Sequence, residues 1–158
     1  MNTLILGIDP GLSGACALYG LSSLSVFDAP TTEREVNGKR KRQLDETALA
    51  TYINVHQPFI KLAILEKVGA MPGQGVTSSF NFGLTYGVIR GILAACGVPF
   101  QTVSPQVWKR HFGLLGQPKD ASRAEASRRL PGYANLWPLK KHDGRAEAAL
   151  LALYGSVM

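Results

Sequence analysis

Four acidic residues occupy positions in this chain where a carboxylate is costly to bury or crowded by another acid. Asp9 and Glu66 each end a run of apolar residues, and Asp143 and Glu147 stand four residues apart at the start of a C-terminal apolar segment. An acid at the end of a buried strand loses its hydration unless a partner compensates for the loss. When several acids converge, a divalent cation is the usual partner. The pattern therefore predicts a metal centre made of acids that are distant in the chain.

The spacing of the last two acids indicates what such a centre would do. Residues four apart share one face of a helix, and two like charges about 4 Å apart in a partly buried site repel by about 4 kcal/mol at an effective dielectric near 20. A bound Mg²⁺ or Mn²⁺ reverses the sign of that interaction, and Mg²⁺ completes its shell with water and substrate phosphate. Two ions roughly 3.5–4 Å apart can activate a water and stabilise the leaving oxygen of a phosphodiester. The predicted chemistry is phosphodiester hydrolysis.

Each acid also has a structural explanation when it is taken alone. Asp9 could start the turn that contains Pro10 and Gly11, and Asp143 could be a helix N-cap. Glu66 could be a solvated strand end, and Glu147 could pair with a surface Lys or Arg. The metal centre is favoured because all four of these explanations would have to coincide at one edge of the fold.

Composition limits the class of protein and of partner. The chain has 158 residues, of which 46% are hydrophobic, and a net charge of +6. These values predict one globular domain over residues 1–158. The positive charge favours nucleic acid or another polyanion over a small-molecule substrate.

Cysteine usage and hydropathy indicate the compartment. Cys16 and Cys96 match no metal or redox spacing, so we expect them to be core thiols in a reducing compartment. No apolar run approaches the roughly 18 residues of a membrane span, and the N-terminus lacks the pattern of a signal peptide. We expect a cytoplasmic protein without a membrane partner.

Alternating strand and helix patterns predict an α/β fold that would gather the acids. We expect strands at residues 3–9, 13–20, 24–28, 61–66 and 98–103. We expect helices at about residues 46–57, 105–112, 119–130 and 143–156. Asp45 should cap the first helix, and a long helix capped by Ser78 or Ser79 should run to about Ala95. Residues 31–42 are predicted to be a loop.

The order of these elements predicts where two of the acids meet. A strand–helix–strand unit favours parallel pairing with a right-handed crossover. If the strand at 61–66 lies parallel beside the first strand, Asp9 and Glu66 emerge at the same edge of the sheet. That edge is the usual place for a site in an open α/β sheet.

Basic residues could form a wall that contacts phosphates beside the acids. One group is the loop segment Lys39, Arg40, Lys41 and Arg42, and the other group lies between residues 104 and 142: Lys109, Arg110, Lys119, Arg123, Lys140 and Lys141. A solvated helix face is the alternative for the second group, and a solubilising loop for the first.

Three glycines recur every four residues along the long helix, at positions 83, 87 and 91. Glycine inside a helix costs about 1 kcal/mol relative to alanine, so this bare face should serve close packing. Its partner could be the protein's own sheet or the same helix of a second subunit.

The motifs Gly7-Ile8-Asp9-Pro10-Gly11, Leu65-Glu66 and His142-Asp143-Gly144-Arg145-Ala146-Glu147-Ala148, in this order, resemble those of RuvC-type Holliday-junction resolvases. Residues 83–91 and 104–109 also resemble this family. The small size of the chain and the segment Glu66-Lys67-Val68-Gly69-Ala70-Met71-Pro72-Gly73 resemble its phage and prophage branch more than its cellular branch. The resemblance implies an RNase H-like fold with a five-stranded mixed sheet flanked by helices. It also implies a homodimeric, DNA-associated crossover-junction endodeoxyribonuclease that makes two symmetric nicks in a four-way DNA junction.

The resemblance implies that Asp9, Glu66, Asp143 and Glu147 bind Mg²⁺, with Mn²⁺ as a substitute. Either His142 or Asp143 could fill the third acidic position. Helix geometry favours Asp143, because a residue five positions before Glu147 points about 140° away from it. His142 or Lys119 could assist proton transfer or stabilise the leaving group.

An aromatic wedge that cellular relatives carry after the second acid has no obvious counterpart here. Met71 or Phe80 could take its place, or the wedge could be absent. Two other functions therefore stay open. One is cleavage of flaps, forks or structured RNA by a nuclease of the same fold, and the other is a DNA-junction-binding module without catalysis.

Overall fold

The computed structural model describes residues 3–158, and its centre is a five-stranded mixed sheet. The strands run in the spatial order β3-β2-β1-β6-β7, with bounds β1 Leu4–Asp9, β2 Ala15–Gly20, β3 Ser23–Asp28, β6 Ile60–Glu66 and β7 Phe100–Val103. β1 pairs antiparallel with β2 and parallel with β6, and β6 pairs parallel with β7. The predicted five-stranded mixed sheet is confirmed.

Five helices flank the sheet, with bounds α1 Glu46–His56, α2 Val76–Ala95, α3 Pro105–His111, α4 Ala121–Arg129 and α5 Asp143–Ser156. Short 3₁₀ turns lie at Gln57–Phe59, Pro131–Leu136 and Lys140–His142. The Asp45 carboxylate accepts a hydrogen bond from the Ala48 N–H at 3.0 Å, as expected for the cap of α1. Within residues 3–158, no helix is long and apolar enough to cross a membrane.

The segment 31–42 is a β-hairpin, so the prediction of a loop was wrong. Strand β4 spans Thr31–Val36 and pairs antiparallel with β5, which spans Lys39–Leu44. Asn37 and Gly38 both have positive φ, at 51° and 73°, and an Asn-Gly pair suits the tight turns that join two such strands. The hairpin escaped prediction because most of its side chains are exposed, so no apolar alternation marks it.

The serine cap predicted for α2 was also wrong. Gly75 is the N-cap residue, and no side chain caps it. The Ser79 N–H bonds to the Gly75 carbonyl at 2.9 Å, so the helical ladder already includes both Ser78 and Ser79. The predicted end is confirmed, because Gly97 has a φ of 69° directly after the helix.

The glycine face of α2 does not pack on the protein's own sheet. A Cβ added at position 83, 87 or 91 would meet no atom of the described residues 3–158 within 4 Å. The opposite side of the helix supplies the buried residues Ile89 and Leu93. Packing of the three glycines on the protein's own sheet is therefore excluded, and the same helix of a second subunit is the alternative that is left.

Two apolar layers cover the sheet. One layer joins α3, α4 and α5 to Ile5, Ala17 and Ile64, and the other joins α1 and α2 to Leu6, Leu18 and Leu65. Helix α5 is the most buried helix, and it crosses β1 and β2 directly. The two acids of the last motif lie in its first two turns, so the packing of α5 decides where they stand.

Gly7 allows α5 to lie directly on β1. A Cβ at this position would collide with the Ala148 carbonyl oxygen and would lie 2.5 Å from the Ala152 nitrogen. Both atoms belong to the backbone of a fully packed helix, so neither can rotate away. A residue larger than glycine would have to lift the helix.

Register confirms the predicted meeting of two acids. Ile8 pairs with Leu65 across the parallel β1–β6 ladder. The next residues, Asp9 and Glu66, therefore end adjacent strands at the same edge of the sheet.

We predict that Gly7→Ala destabilises the protein by about 2–3 kcal/mol or more, because overpacking a rigid core costs this much. The free energy of unfolding from urea denaturation is the measurement. Gly132→Ala is the matched control, since a Cβ there meets nothing within 4 Å, and it should change stability by about 0.5 kcal/mol or less. Equal stability of the two variants would contradict the proposed close approach of α5.

Candidate active site

The end of β1 and the start of α5 enclose a cleft of about 850 Å³. Asp9, Asp143 and Glu147 line this cleft, together with Lys119, Lys140 and Lys141. Glu66 lines an adjoining cleft of about 440 Å³. The structure thus gathers three of the four predicted acids in one cleft and puts the fourth at its border.

Burial and neighbouring acids raise the pKa of two of the four carboxylates, Asp9 and Glu66. Burial, then the charges of Glu147 and Glu66, raise the pKa of Asp9 well above its usual value, and Lys109 opposes this. Burial raises the pKa of Glu66 as well, while a hydrogen bond from Trp108 opposes the rise. Glu66 and Glu147 therefore stand close enough to Asp9 to disfavour its charge.

Three basic side chains approach the acids without pairing closely. Lys119 Nζ lies 3.9 Å from Asp143 Oδ2, and Lys109 Nζ lies 4.0 Å from Glu147 Oε1. Arg123 Nε lies 3.3 Å from Asp143 Oδ1. The two lysines stand at the limit of an ion pair and only Arg123 is closer, so the negative charge of the cleft is only partly balanced.

Asp143 keeps an unsatisfied oxygen in a buried position. The residue is 8% exposed, and among residues 3–158 its Oδ1 atom, like the facing Arg123 Nε, has no hydrogen-bond partner. A buried acceptor without a hydrogen bond is costly, and a bound cation would satisfy this oxygen more directly than the Arg123 charge 3.3 Å away. Glu147 differs, because Ser122 Oγ donates to its Oε1 at 3.1 Å.

The residues of the cleft fit a divalent ion in chemistry but do not yet enclose one. Carboxylate oxygens are the ligands that Mg²⁺ and Mn²⁺ prefer, and Asp143 Oδ1 is buried and free of hydrogen bonds. Across residues 3–158, no three His, Cys, Asp or Glu side chains already converge as a group that could hold a metal. The acids would therefore have to come closer together to share one ion.

Gly144 brings the start of α5 against the Asp9 loop. A Cβ at this position would lie 3.1 Å from Asp9 Oδ2 and would clash with the Ser13 carbonyl oxygen. The neighbouring Arg145 donates to both carboxylate oxygens of Asp28, each at 2.8 Å, and so ties α5 to the end of β3. The hydrogen bond from Arg145 also lowers the pKa of Asp28.

The sequence motif contained both residues but did not reveal their structural roles. Glycine beside an acid also fits a simple helix start, and nothing in the sequence links Arg145 to Asp28.

His142 does not join the acids. It closes the 3₁₀ turn before α5, where its Nδ1 accepts a hydrogen bond from the Leu139 N–H at 3.1 Å, and it does not line the cleft. Asp143 lines the cleft, which favours it for the third acidic position. A catalytic role of His142 stays a prediction.

The basic hairpin is joined to the rim of the cleft. Arg42 Nη2 donates to Ser13 Oγ at 3.0 Å, and Ser13 lines the cleft. Arg40 pairs with Glu33 at 3.3 Å. Cross-strand pairing places Lys39 and Lys41 on the opposite face of the hairpin from Arg40 and Arg42.

The candidate wedge residues are both exposed. Met71 is 69% and Phe80 is 68% exposed, and Met71 lines the cleft of Glu66. Phe82 lines both clefts, which the sequence did not suggest. Arg110 is an exposed residue in the last turn of α3.

Comparison with known proteins finds no matching family model. The chloroplastic Holliday junction resolvase MOC1 of Chlamydomonas reinhardtii is 30% identical over 99 residues, which are 62% of this chain. This chain spans only 11% of the length of that relative.

Three solved structures share the fold. Thermus thermophilus RuvC has a TM-score of 0.56 at 15% identity and covers 98% of this chain and 96% of its own. T. thermophilus RuvC in complex with a Holliday junction substrate has a TM-score of 0.59 at 14% identity, covering 98% and 92%. The yeast mitochondrial Holliday junction resolvase Ydc2 has a TM-score of 0.57 at 17% identity, covering 96% and 76%. The chain therefore has the RNase H-like fold of RuvC-type proteins, as its motifs predict.

We predict that Asp9→Asn stabilises the metal-free protein at neutral pH by about 1 kcal/mol. The usual pKa of Asp9 is 3.8 and its folded pKa is raised, so between these values the folded state holds a proton that the unfolded state has lost. Stability of the wild type therefore falls as pH rises through this window. The amide of the variant does not titrate in this range. Its stability advantage over the wild type should therefore vanish in acid and grow toward neutral pH.

Thermal unfolding in the presence of a chelator, between about pH 4 and pH 8, measures this difference. Glu46→Gln changes an exposed acid at the start of α1 and should show no such trend. An Asp9→Asn variant that is less stable than the wild type at neutral pH would argue against crowded acids.

Proposed function

We propose that this protein is a metal-dependent endonuclease that resolves four-way DNA junctions by paired symmetric nicks. The observation that carries the proposal is the cleft in which Asp9, Asp143 and Glu147 meet under a rim of lysines. Acids that repel each other suit a cation, and a basic rim suits a polyanion. The names of the protein's structural neighbours support DNA junctions as the substrate.

Asp9, Glu66, Asp143 and Glu147 would hold the metal, which we propose to be Mg²⁺ with Mn²⁺ as a substitute. Asp9 is the best candidate for a ligand that two metal ions would share, because the charges of both Glu66 and Glu147 raise its pKa. When bound, such ions activate a water and stabilise the leaving oxygen of a phosphodiester. The protein contributes the fixed positions of the acids, which come from β1, β6 and α5.

Lysines of the rim would orient the phosphate backbone. The Lys119 side chain is 80% exposed while its Nζ lies 3.9 Å from Asp143 Oδ2. It is therefore free to turn toward a phosphate or a leaving oxygen without breaking a buried contact. Lys140 and Lys141 would extend the same contact surface along the cleft.

Further basic groups would bind the DNA arms. Arg42 fixes the hairpin to the cleft rim, and Lys39 and Lys41 leave its opposite face positive. Lys109, Arg110 and Arg123 would add contacts from α3 and α4. The net charge of +6 favours this assignment.

A second copy of the chain would cover the exposed face of α2, which gives the homodimer that paired nicks require. Val76, Phe80 and Leu84 are 88%, 68% and 55% exposed, and the three glycines of the same helix have open space around them. Apolar side chains beside bare backbone suit a closely packed helix pair. A twofold partner would also match the twofold character of a four-way junction.

Two other functions share parts of this argument. A nuclease of the same fold that cuts flaps, forks or structured RNA would use the same acids but would not cut junctions symmetrically. A binding module without catalysis would gain nothing from acids that face phosphate, so the cleft speaks against it.

We predict that Asp9→Asn lowers cleavage of a synthetic four-way junction by more than about 100-fold. Replacing a residue that only hydrogen-bonds to a metal ligand already lowers metal affinity or activity by about 10- to 100-fold. Junction binding should be retained or strengthened, since one negative charge is removed. Cleavage of labelled junction and of linear duplex, followed with gel-shift binding, measures both effects. Glu46→Gln is the control and should cut like the wild type.

Equal cutting by Asp9→Asn and the wild type would refute the metal nuclease. Cutting of flaps or forks in preference to junctions would favour the first alternative, and tight junction binding without any wild-type cutting would favour the second.

We predict that Leu84→Glu converts a dimer into a monomer, because a charge at the centre of a helix pair would lose its hydration. Light scattering at micromolar protein, with and without junction DNA, is the measurement. Leu21→Glu is the control, since Leu21 is a fully exposed residue in the turn between β2 and β3. A wild-type monomer in both conditions would count against paired nicking.

A further inference from the structure

The side chain of Glu66 is held by a buried tryptophan. Trp108 is 0% exposed, and its only polar side-chain atom, Nε1, donates to Glu66 Oε2 at 2.7 Å. That length is at the short end of the range for N–H···O hydrogen bonds. Within residues 3–158, this hydrogen bond from Trp108 fixes the Glu66 carboxylate.

The chain path from β7 to α3 brings this tryptophan to Glu66. Val103 pairs with Glu66 at the end of the β6–β7 ladder, and its carbonyl accepts a hydrogen bond from the Lys67 N–H at 2.7 Å. Helix α3 begins two residues later at Pro105. Trp108 therefore lies one helical turn above the strand end that carries the acid.

Packing immobilises the indole ring. Phe112 meets it edge-on with 6.4 Å between ring centroids, and Lys109 Nζ stands 5.5 Å from its centroid. A ring fixed by its neighbours can in turn fix the rotamer of the carboxylate that it touches. With Oε2 engaged by the indole, Oε1 is the oxygen left for another ligand.

Consecutive residues of α3 reach two different acids. Trp108 contacts Glu66, while Lys109 approaches Glu147 at 4.0 Å. The neutral donor touches the acid at the border of the cleft, and the charged one stands near the acid inside it. One short helix thereby places a hydrogen-bond donor on Glu66 and a positive charge near Glu147.

We propose that Trp108 is a positioning residue, whose indole N–H holds Glu66 in the rotamer that presents Oε1 to the metal. This inference rests on the proposed function and deepens it. It also makes Trp108 a built-in fluorescent reporter of metal binding, because the indole touches one of the acids that would bind the ion.

The chain contains a matched control. Trp137 is also buried, at 1% exposed, and its Nε1 also donates a hydrogen bond, but to Ser127 Oγ at 2.9 Å. Replacing either tryptophan by phenylalanine removes one buried hydrogen bond and a similar volume. A difference in metal affinity between the two variants would therefore come from Glu66 and not from a general loss of packing.

The test compares Trp108→Phe and Trp137→Phe with the wild type by isothermal titration with Mg²⁺. Trp108→Phe should bind Mg²⁺ about 10- to 100-fold more weakly, and Trp137→Phe should stay within about two-fold. In junction cleavage, Trp108→Phe should need correspondingly more Mg²⁺ for half-maximal rate, and excess Mg²⁺ should restore most of the rate.

Fluorescence tests the contact without changing Trp108. In Trp137→Phe the remaining tryptophan is Trp108, and its emission should change with the midpoint found by titration. Adding Glu66→Gln should abolish that change. In Trp108→Phe, the emission of Trp137 should stay constant.

Equal Mg²⁺ affinity of the two phenylalanine variants, with wild-type binding intact, would overturn this inference alone. An unresponsive Trp108 emission at saturating Mg²⁺ would overturn it as well, even if Trp108→Phe fails to fold. A wild-type protein that neither binds Mg²⁺ nor cuts junctions would overturn the proposed function together with this inference.

Discussion

Repulsion between carboxylates that the fold forces together is the constraint on which the site depends. The protein could relieve this repulsion by letting α5 move away from β1, but the packing prevents it. Gly7 and Gly144 remove the side chains that would separate the two elements, and the apolar face of α5 is fully buried. The free energy of core packing therefore keeps the acids in an unfavourable arrangement that a cation would relieve.

The protein's own cations do not remove this strain. Lys109 and Lys119 stand about as far from their acids as an ion pair allows, at 4.0 and 3.9 Å. Arg123 is closer to Asp143, at 3.3 Å, but it makes its hydrogen bonds to the carbonyls of Trp137 and Pro138 and to Asp120. A pocket with fully paired acids would have little affinity for a metal. The loose pairing of Lys109 and Lys119 leaves negative charge for an ion, and the exposed Lys119 side chain stays available for a phosphate.

The sequence predicted those features that follow from local pattern and chain order. Asp9 and Glu66 end apolar strands, and parallel pairing alone brings such ends together. The sequence did not predict contacts between side chains that are distant in the chain. No local sequence pattern indicates that Trp108 donates to Glu66, that Arg145 reaches Asp28, or that Phe82 borders both clefts. The hairpin at residues 31–44 was not predicted for another reason. Strands that are exposed on both faces have no hydrophobic periodicity, so the Asn37-Gly38 turn was the one local sign of a hairpin.

The distribution of charge over the molecule separates two tasks that would otherwise conflict. An acidic centre repels phosphate, so a nuclease built on it must attract DNA with other groups. Here Lys119, Lys140 and Lys141 line the cleft and Arg42 of the hairpin reaches its rim, while the acids lie at the end of the sheet inside it. DNA would be drawn to the rim by long-range attraction, and it would reach the acids only where a cation reverses their sign. In the proposed enzyme, metal binding would therefore decide whether a phosphate can approach the centre at all, in addition to supplying the chemistry.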